Sequence, residues 1–111
     1  MSLASTLQGN VLVIRPTEDR IDAAGAIRFK ENMRDLIATP SERVILDLSS
    51  VQFLDSSGLG ALVAAMKMLI PGRRLELAGL TPTVEKVMRL TRMDTVFTIH
   101  PALEQGLRDV G

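Results

Sequence analysis

The sequence predicts an α/β fold: a mixed, mostly parallel sheet with an antiparallel hairpin at its N-terminal edge and about four helices. Short apolar runs, typical of buried strands, alternate with longer segments in which apolar residues recur at helical spacing. The first two runs are separated by Gly9-Asn10, a pair suited to a tight turn. Because strand–helix–strand units are right-handed, we expect right-handed crossovers to join the parallel strands. At 111 residues, the chain is expected to form one domain over residues 1–111.

The N-terminal third contains the predicted hairpin and the first helix. Residues 3–7 favour a short edge strand, and residues 11–14 favour a more buried strand that Pro16 ends. Asp22 is predicted to cap a helix that ends at residues 39–41, because a proline there disfavours a helical residue before it. The predicted inner face of this helix comprises Ala26, Phe29, Met33, Leu36 and Ile37.

A buried strand, a polar loop and a nearly uncharged helix occupy the middle of the chain. Residues 44–48 form an apolar, partly β-branched run that is typical of a strand buried on both faces. Asp55, Ser56 and Ser57 carry the side chains that favour helix N-termini, so we expect the two serines where a helix begins. Apolar residues at helical spacing follow: Leu59, Leu62, Val63, Met66, Leu69 and Ile70.

The C-terminal third predicts a strand, a helix, a strand and a last helix. Residues 74–78 alternate at period two and end at Gly79. Thr81 is predicted to cap the third helix, with Pro82 at its first position. Residues 96–99 favour a final strand. The inner face of the third helix is predicted to comprise Val84, Val87, Met88 and Thr91, and the terminal helix is marked by Pro101, Leu103, Leu107 and Val110.

Composition narrows the class of protein. Lys and Arg together number 13, as do Asp and Glu, so the net charge is zero and the positive field of a nucleic-acid-binding protein is missing. We therefore expect protein partners and no direct contact with nucleic acid. The chain lacks cysteine, and it has neither a leader-like N-terminus nor an apolar run of about 18 residues. These features predict a cytoplasmic protein that does not insert into membranes.

Motifs for the common enzyme chemistries are missing from the sequence. The single histidine, His100, precedes a proline at the end of a predicted strand, where a structural or solvated role is expected. No Ser-His-Asp arrangement, GxSxG motif, Walker loop or zinc-ligand spacing occurs. Gly58 and Gly60 could begin a dinucleotide loop, but Val63 stands at the third glycine position. We therefore expect no enzymatic activity, no cofactor and no metal.

A receiver-like domain, with Asp47 or Asp55 phosphorylated, is an alternative with the same alternation of strands and helices. That chemistry requires an acidic pair at another strand end to hold Mg²⁺. The first inner strand ends instead at residues 15–17, and Glu18 and Asp19 lie only in the loop beyond it. This spacing disfavours the receiver-like interpretation.

The second helix has an unusual lack of charge. Between Ser57 and Ile70 the one charged residue is Lys67, so a smooth apolar face is expected to point away from the core. Exposed apolar faces of this kind usually bind partners. The alternative is that neighbouring elements bury this helix on both sides. The face in question comprises Ala61, Ala64, Ala65 and Met68.

The loop before this helix carries a specific resemblance. Residues 53–60, Phe-Leu-Asp-Ser-Ser-Gly-Leu-Gly, resemble the signature loop of the STAS domain found in bacterial anti-sigma factor antagonists. Residues 20–24 resemble the start of that family's first helix, residues 80–88 its late helix, and residues 96–99 its last strand. The resemblance covers nearly the whole chain in the family's order. It implies the STAS fold, in which a mixed sheet and its strand–helix units form a superhelix.

The resemblance also implies a regulatory function. Ser56 corresponds to the family's phosphoacceptor, so the chain would be a phosphoprotein that regulates bacterial transcription by partner switching. Unmodified protein would bind an anti-sigma factor that is also a serine kinase, and would thereby release the sigma factor. Phosphorylation would reverse this, and a PP2C-type phosphatase would reset it. The expected partner contacts are Asp22, Asp55, Ser57, Gly58, Leu59 and Ala61.

Two other functions remain open from the sequence. The family includes constitutive interaction subunits of lipid-transport and sensor complexes, in which Ser56 would only cap the helix. A small-molecule carrier would instead need a deep apolar pocket. We expect the chain to be a monomer or a weak dimer.

Overall fold

The computed structural model describes residues 2–108 and, within them, contains a five-stranded sheet, a two-stranded ribbon and four α-helices. The strands are β1 Leu3–Gln8, β2 Val11–Pro16, β3 Arg20–Ile21, β4 Arg43–Asp47, β5 Phe53–Leu54, β6 Leu75–Ala78 and β7 Thr98–His100. The helices are α1 Ala23–Leu36, α2 Ser56–Leu69, α3 Pro82–Leu90 and α4 Leu103–Arg108, and Met93–Thr95 forms a 3₁₀ turn.

The main sheet has the strand order β1-β2-β4-β6-β7. β1 and β2 are antiparallel, with Leu3 opposite Pro16 and Gln8 opposite Val11, and the other three pairs are parallel. This arrangement confirms the predicted mixed sheet with an N-terminal hairpin at one edge. The ribbon of β3 and β5 is parallel and was not expected from the sequence.

Apolar side chains fill both faces of the sheet. The larger core lies between one face and α1, α2 and α3, and includes Phe29, Leu46, Leu62 and Met88. The smaller core lies on the other face, where the half-buried Leu103 and Leu107 of α4 pack. Its buried members are Val11, Val13, Ile45 and Ala78. Because helices cover both faces, the central strands read as continuous apolar runs.

The structure changes some of the expected boundaries. The last strand is Thr98–His100 and not residues 96–99, because the chain before it makes a 3₁₀ turn that leaves Val96 exposed. Thr91, expected on the inner face of α3, is also exposed. Its hydroxyl donates instead to the backbone carbonyl of Val87, one turn back, at 2.7 Å. Val110 lies outside the described residues.

An ionic cluster of Arg43, Glu76 and His100 connects four elements, β4, β6, β7 and α4. Glu76 is 4% exposed, and its carboxylate accepts hydrogen bonds from Arg43 Nε at 2.9 Å and Nη2 at 2.5 Å. His100 Nε2 lies 2.7 Å from Glu76 Oε1, and Arg43 Nη2 also donates to the Gly106 carbonyl of α4 at 2.9 Å. Burial alone would raise the pKa of the Glu76 carboxyl, but the hydrogen bonds from Arg43 and His100 hold it below its usual value. His100 therefore has a structural contact.

Candidate functional site

The loop between β4 and β5 is fixed by hydrogen bonds to its neighbours. Val51 is fully buried, and its carbonyl accepts a 2.7 Å hydrogen bond from the Thr81 hydroxyl. Ser50 Oγ donates to the Pro16 carbonyl at 2.9 Å. Thr81 occupies the N-cap position of α3 as predicted, but its side chain makes no capping bond because it binds Val51. The loop therefore carries the chain rigidly to the start of α2.

The β3–β5 ribbon places the starts of two helices side by side. Arg20 pairs with Phe53 and Ile21 with Leu54, and the next residues of the two strands lead into α1 and α2. Ile21 and Leu54 are buried, so they anchor the ribbon in the core. Since the strands are parallel, both helices begin at the same end of the ribbon.

Two aspartates cap these helices: Asp22, as predicted, and Asp55, one of the three residues with capping side chains at the predicted start of the second helix. Asp22 Oδ1 accepts a hydrogen bond from the Gly25 backbone N–H at 3.2 Å, and Asp55 Oδ1 accepts one from Gly58 at 2.8 Å. The second oxygen of Asp55 accepts from the Ala23 N–H, in the first turn of α1, at 3.2 Å. One carboxylate therefore satisfies donors at both helix starts, which would otherwise be unpaired.

The two serines are the first residues of α2, and both are exposed. Within residues 2–108, neither the Ser56 nor the Ser57 hydroxyl makes a hydrogen bond, because Asp55 provides the cap. A helix start carries unpaired N–H groups and about half a positive charge, so a phosphate can be tolerated there. The Ser56 hydroxyl is therefore chemically accessible to a modifying enzyme.

The apolar face predicted for α2 is wrong in its central members. Ala61 is 2% exposed and Ala65 is fully buried, while Ala64 and Met68 are half-buried. Gly58 is also buried, since a Cβ there would lie 2.1 Å from the Ile21 carbonyl oxygen. Because α2 packs closely on its neighbours, Gly58 and Ala61 present little surface, and their contacts with a partner stay a prediction. Leu59 remains half-buried at the surface.

Two further residues form part of this surface and were not identified from the sequence. The Arg20 guanidinium lies over the Phe53 ring, 4.9 Å from its centroid. Arg20 Nε also pairs with Asp22 Oδ2 at 3.0 Å. Phe53 is 41% exposed. The Arg20–Phe53 contact arises from the β3–β5 register, which two-residue strands are too short to show as a periodic pattern.

Asp47, the other aspartate considered as a phosphoacceptor, lies in a different environment. Its buried carboxylate binds Arg15 through Nε at 3.2 Å and Nη2 at 3.0 Å, and accepts the Ser49 N–H at 3.0 Å. Across residues 2–108, no group of three or more His, Cys, Asp or Glu side chains is placed to hold a metal ion. Asp47 therefore has an ion-pairing partner in place of the acidic neighbours that receiver chemistry requires.

A surface groove of about 400 Å³ runs beside α3 and β7. It is lined by the apolar Leu80, Met88, Ile99 and Pro101 and by the charged Glu85, Arg89 and Asp94. With three charged side chains at its surface, this groove does not provide the deep apolar pocket that a carrier of apolar ligands needs. In the part of the chain that the structure describes, no helix has the length and apolar character to cross a bilayer.

Comparison with known proteins gives one family. A model of the STAS domain matches residues 2–106. A candidate anti-sigma factor antagonist from Thermotoga maritima is 23% identical, with a TM-score of 0.85 over 97% of this chain and 93% of that one. An anti-sigma factor antagonist from Mycobacterium paratuberculosis is 24% identical, with a TM-score of 0.85 over 96% and 90%. The phosphorylated form of the Bacillus cell fate determinant SpoIIAA is 19% identical, with a TM-score of 0.67 over 96% of both chains. These structures share the fold described above.

Proposed function

The chain belongs to the STAS domain family, and we propose that it acts as an anti-sigma factor antagonist. In this proposal the unmodified protein binds an anti-sigma factor with serine-kinase activity, and the sigma factor is released. The observation that carries the proposal is the exposed Ser56 hydroxyl at the first position of α2, next to Asp55. Solved structures with this fold include proteins described as anti-sigma factor antagonists, among them SpoIIAA, for which a phosphorylated form is also solved.

Phosphorylation of Ser56 would act through charge. A phosphate adds about −1.5 to −2 charges at neutral pH, beside the carboxylate of Asp55. The start of α2 tolerates this charge, so the fold is kept, but the docking surface becomes strongly negative and costly to desolvate. Binding is therefore lost without refolding. Asp22, Asp55, Ser57 and Leu59 remain the proposed contacts around Ser56.

The remaining parts of the cycle belong to the partners. The chain is the substrate of the kinase and catalyses nothing itself, and a PP2C-type phosphatase removes the phosphate. It needs no cofactor, touches no nucleic acid directly, acts in the cytoplasm, and works as a monomer or a weak dimer. Its zero net charge supports recognition through a local surface in place of a long-range field.

The experiment measures binding by calorimetry to each purified anti-sigma factor kinase of the source organism. We expect Ser56→Asp to weaken binding by about 100-fold or more, which corresponds to about 2.7 kcal/mol. Ser56→Ala should bind like the parent and resist phosphorylation, with mass spectrometry mapping the phosphate to Ser56. Ser5→Asp, at an exposed serine of β1, is the matched charge control and should bind normally. The free energy of unfolding of every variant should lie within about 0.5 kcal/mol of the parent's value.

A different result would favour the constitutive interaction subunit. If Ser56→Asp binds the kinase as tightly as the parent does, the phosphoswitch is wrong. If the phosphate maps to Ser57, the switch has the other hydroxyl as its acceptor. If no anti-sigma factor kinase binds the unmodified chain, the proposed function is wrong as a whole.

A further inference from the structure

Phe53 differs from the other two phenylalanines of the chain. Phe29 is fully buried and Phe97 is 5% exposed, whereas Phe53 keeps 41% of its surface in water. It lies in β5, three residues before Ser56, on a strand whose next residue, Leu54, is buried. The ribbon therefore turns an aromatic ring outward, three positions before the proposed phosphoacceptor in the chain. Aromatic side chains in such positions are enriched at the centres of protein interfaces.

Arg20 is held in place above this ring by two contacts. Its Nε pairs with Asp22 Oδ2 at 3.0 Å, and its guanidinium carbon stacks 4.9 Å from the Phe53 centroid. The side chain is nevertheless 55% exposed. Within residues 2–108 the guanidinium forms its ion pair through Nε, and neither terminal NH₂ group donates a hydrogen bond to another part of the chain. A planar donor fixed in this way binds a carboxylate with little further loss of side-chain entropy.

Three acidic side chains near Arg20 already have partners: Asp22, Asp55 and Glu18, the last of which lines the same surface pocket as Arg20 and Asp22. Asp22 accepts from Gly25 and pairs with Arg20, and Asp55 accepts from the first turns of both helices. A binding partner therefore meets two donor groups, the terminal NH₂ groups of Arg20, above the apolar ring of Phe53. Charge complementarity then requires an acceptor that carries negative charge, beside an apolar contact.

We propose that Arg20 and Phe53 anchor the partner protein, which places a carboxylate side chain against the Arg20 NH₂ groups and an apolar side chain against the Phe53 ring. This inference rests on the proposed function, since it names the chemistry of the partner at that same surface. It also names the group on the partner that the phosphate would repel. A phosphate on Ser56 brings negative charge close to the partner's carboxylate, so the two repel each other.

The test uses the anti-sigma factor kinase that binds the unmodified chain. We expect Arg20→Gln and Phe53→Ala each to weaken binding by at least about 10-fold, as residues at the centre of an interface do. The charge exchange described below uses Arg20→Glu, and its matched control is Arg74→Glu, because Arg74 is an exposed arginine just before β6, at the opposite end of the parallel strands. Arg74→Glu should bind like the parent. Circular dichroism checks that every variant is folded.

A charge exchange then identifies the acceptor. Each surface Asp and Glu of the kinase is replaced by Lys and measured against Arg20→Glu. We expect one replacement to restore binding to within about 10-fold of the parent pair. The inference is overturned if Arg20→Gln and Phe53→Ala bind normally, or if no charge exchange restores binding, for instance because the acceptor is a bound nucleotide. Parent binding separates the two failures: if the parent itself binds no such kinase, the proposed function fails and this inference fails with it.

Discussion

Two glycines of α2, two residues apart, should respond in opposite ways to the same substitution. At Gly58 an added Cβ would lie 2.1 Å from the Ile21 carbonyl oxygen and 2.7 Å from Leu54 Cδ1. At Gly60 the same Cβ would meet nothing within 4 Å. Gly58→Ala and Gly60→Ala therefore change the helix by one identical methyl group, and only the first variant collides with another part of the chain.

The expected magnitudes follow from these distances. For Gly58→Ala, the contact to Ile21 must grow from 2.1 Å to at least 3.0 Å, and the opposing atom is backbone of the anchored β3–β5 ribbon. Overpacking costs about 1–3 kcal/mol, and the fixed backbone favours the upper end, so after any gain in helix propensity we expect a net loss of about 2 kcal/mol. Gly60→Ala should gain up to about 1 kcal/mol, because an exposed helical alanine replaces glycine.

Urea unfolding followed by far-ultraviolet circular dichroism measures both variants. The predicted separation of about 3 kcal/mol corresponds to about 12 °C in Tm for a domain of this size. Similar m-values in both variants would show that the native compactness is retained. The reasoning fails if Gly58→Ala is as stable as the parent, or if Gly60→Ala is destabilised by the same amount.

Three further substitutions test hydrogen-bonded contacts: two hold the site in place, and one belongs to the ionic cluster around Glu76. Thr81→Val should lower the free energy of unfolding by about 1–2 kcal/mol, measured in urea, because the buried Val51 carbonyl loses its donor. Asp55→Ala should cost about 2 kcal/mol in the same assay, since one carboxylate bonds the first turns of both helices. Glu76→Gln should destabilise the protein at neutral pH. The folded protein lowers the pKa of the Glu76 carboxyl, so the ionised carboxylate contributes stability above the unfolded pKa. This contribution is lost as the pH falls through the folded pKa.

Each of these variants has a control. Thr83→Val, at an exposed position of α3, should be nearly neutral, and an equal effect at both threonines would contradict the role of the Thr81 hydroxyl. Asp22→Ala removes one capping bond and an exposed ion pair, so it should cost less than Asp55→Ala. For Glu76→Gln, the loss of stability relative to the parent should shrink in acid, and a loss that is constant with pH would be inconsistent with the lowered pKa.

The order of the elements could be predicted because each long element has a clear period or a clear cap. The central strand at residues 44–48 and the capped start at Asp55 were both expected and both confirmed. The sequence left open whether Ala61 is exposed or buried, because alanine is compatible with either face of a helix, and the structure shows that it is buried. Which face α1 covers depends on the packing of two helices, and no local pattern of one helix contains that information.

The contacts of the candidate site depend on pairings distant in sequence. Arg20 and Phe53 meet through a two-residue ribbon, and Asp55 reaches Ala23 across 32 positions. Glu76 alternates with apolar residues, a pattern that usually places a charged side chain in water, yet α4 covers that face. The accessibility of Ser56, in contrast, follows from a local rule: Asp55 takes the cap, so the serine after it points outward.

The close fit of Gly106 against His100 should restrict which residues homologous proteins have at these two positions. A Cβ on Gly106 would approach His100 Cδ2 to 2.9 Å, and the ring is fixed by its bond to Glu76. A homologue with a larger residue at position 106 would need a smaller one at position 100. Without the imidazole, the acid at position 76 would depend on Arg43 alone. Positions 76, 100 and 106 should therefore vary together among homologous sequences.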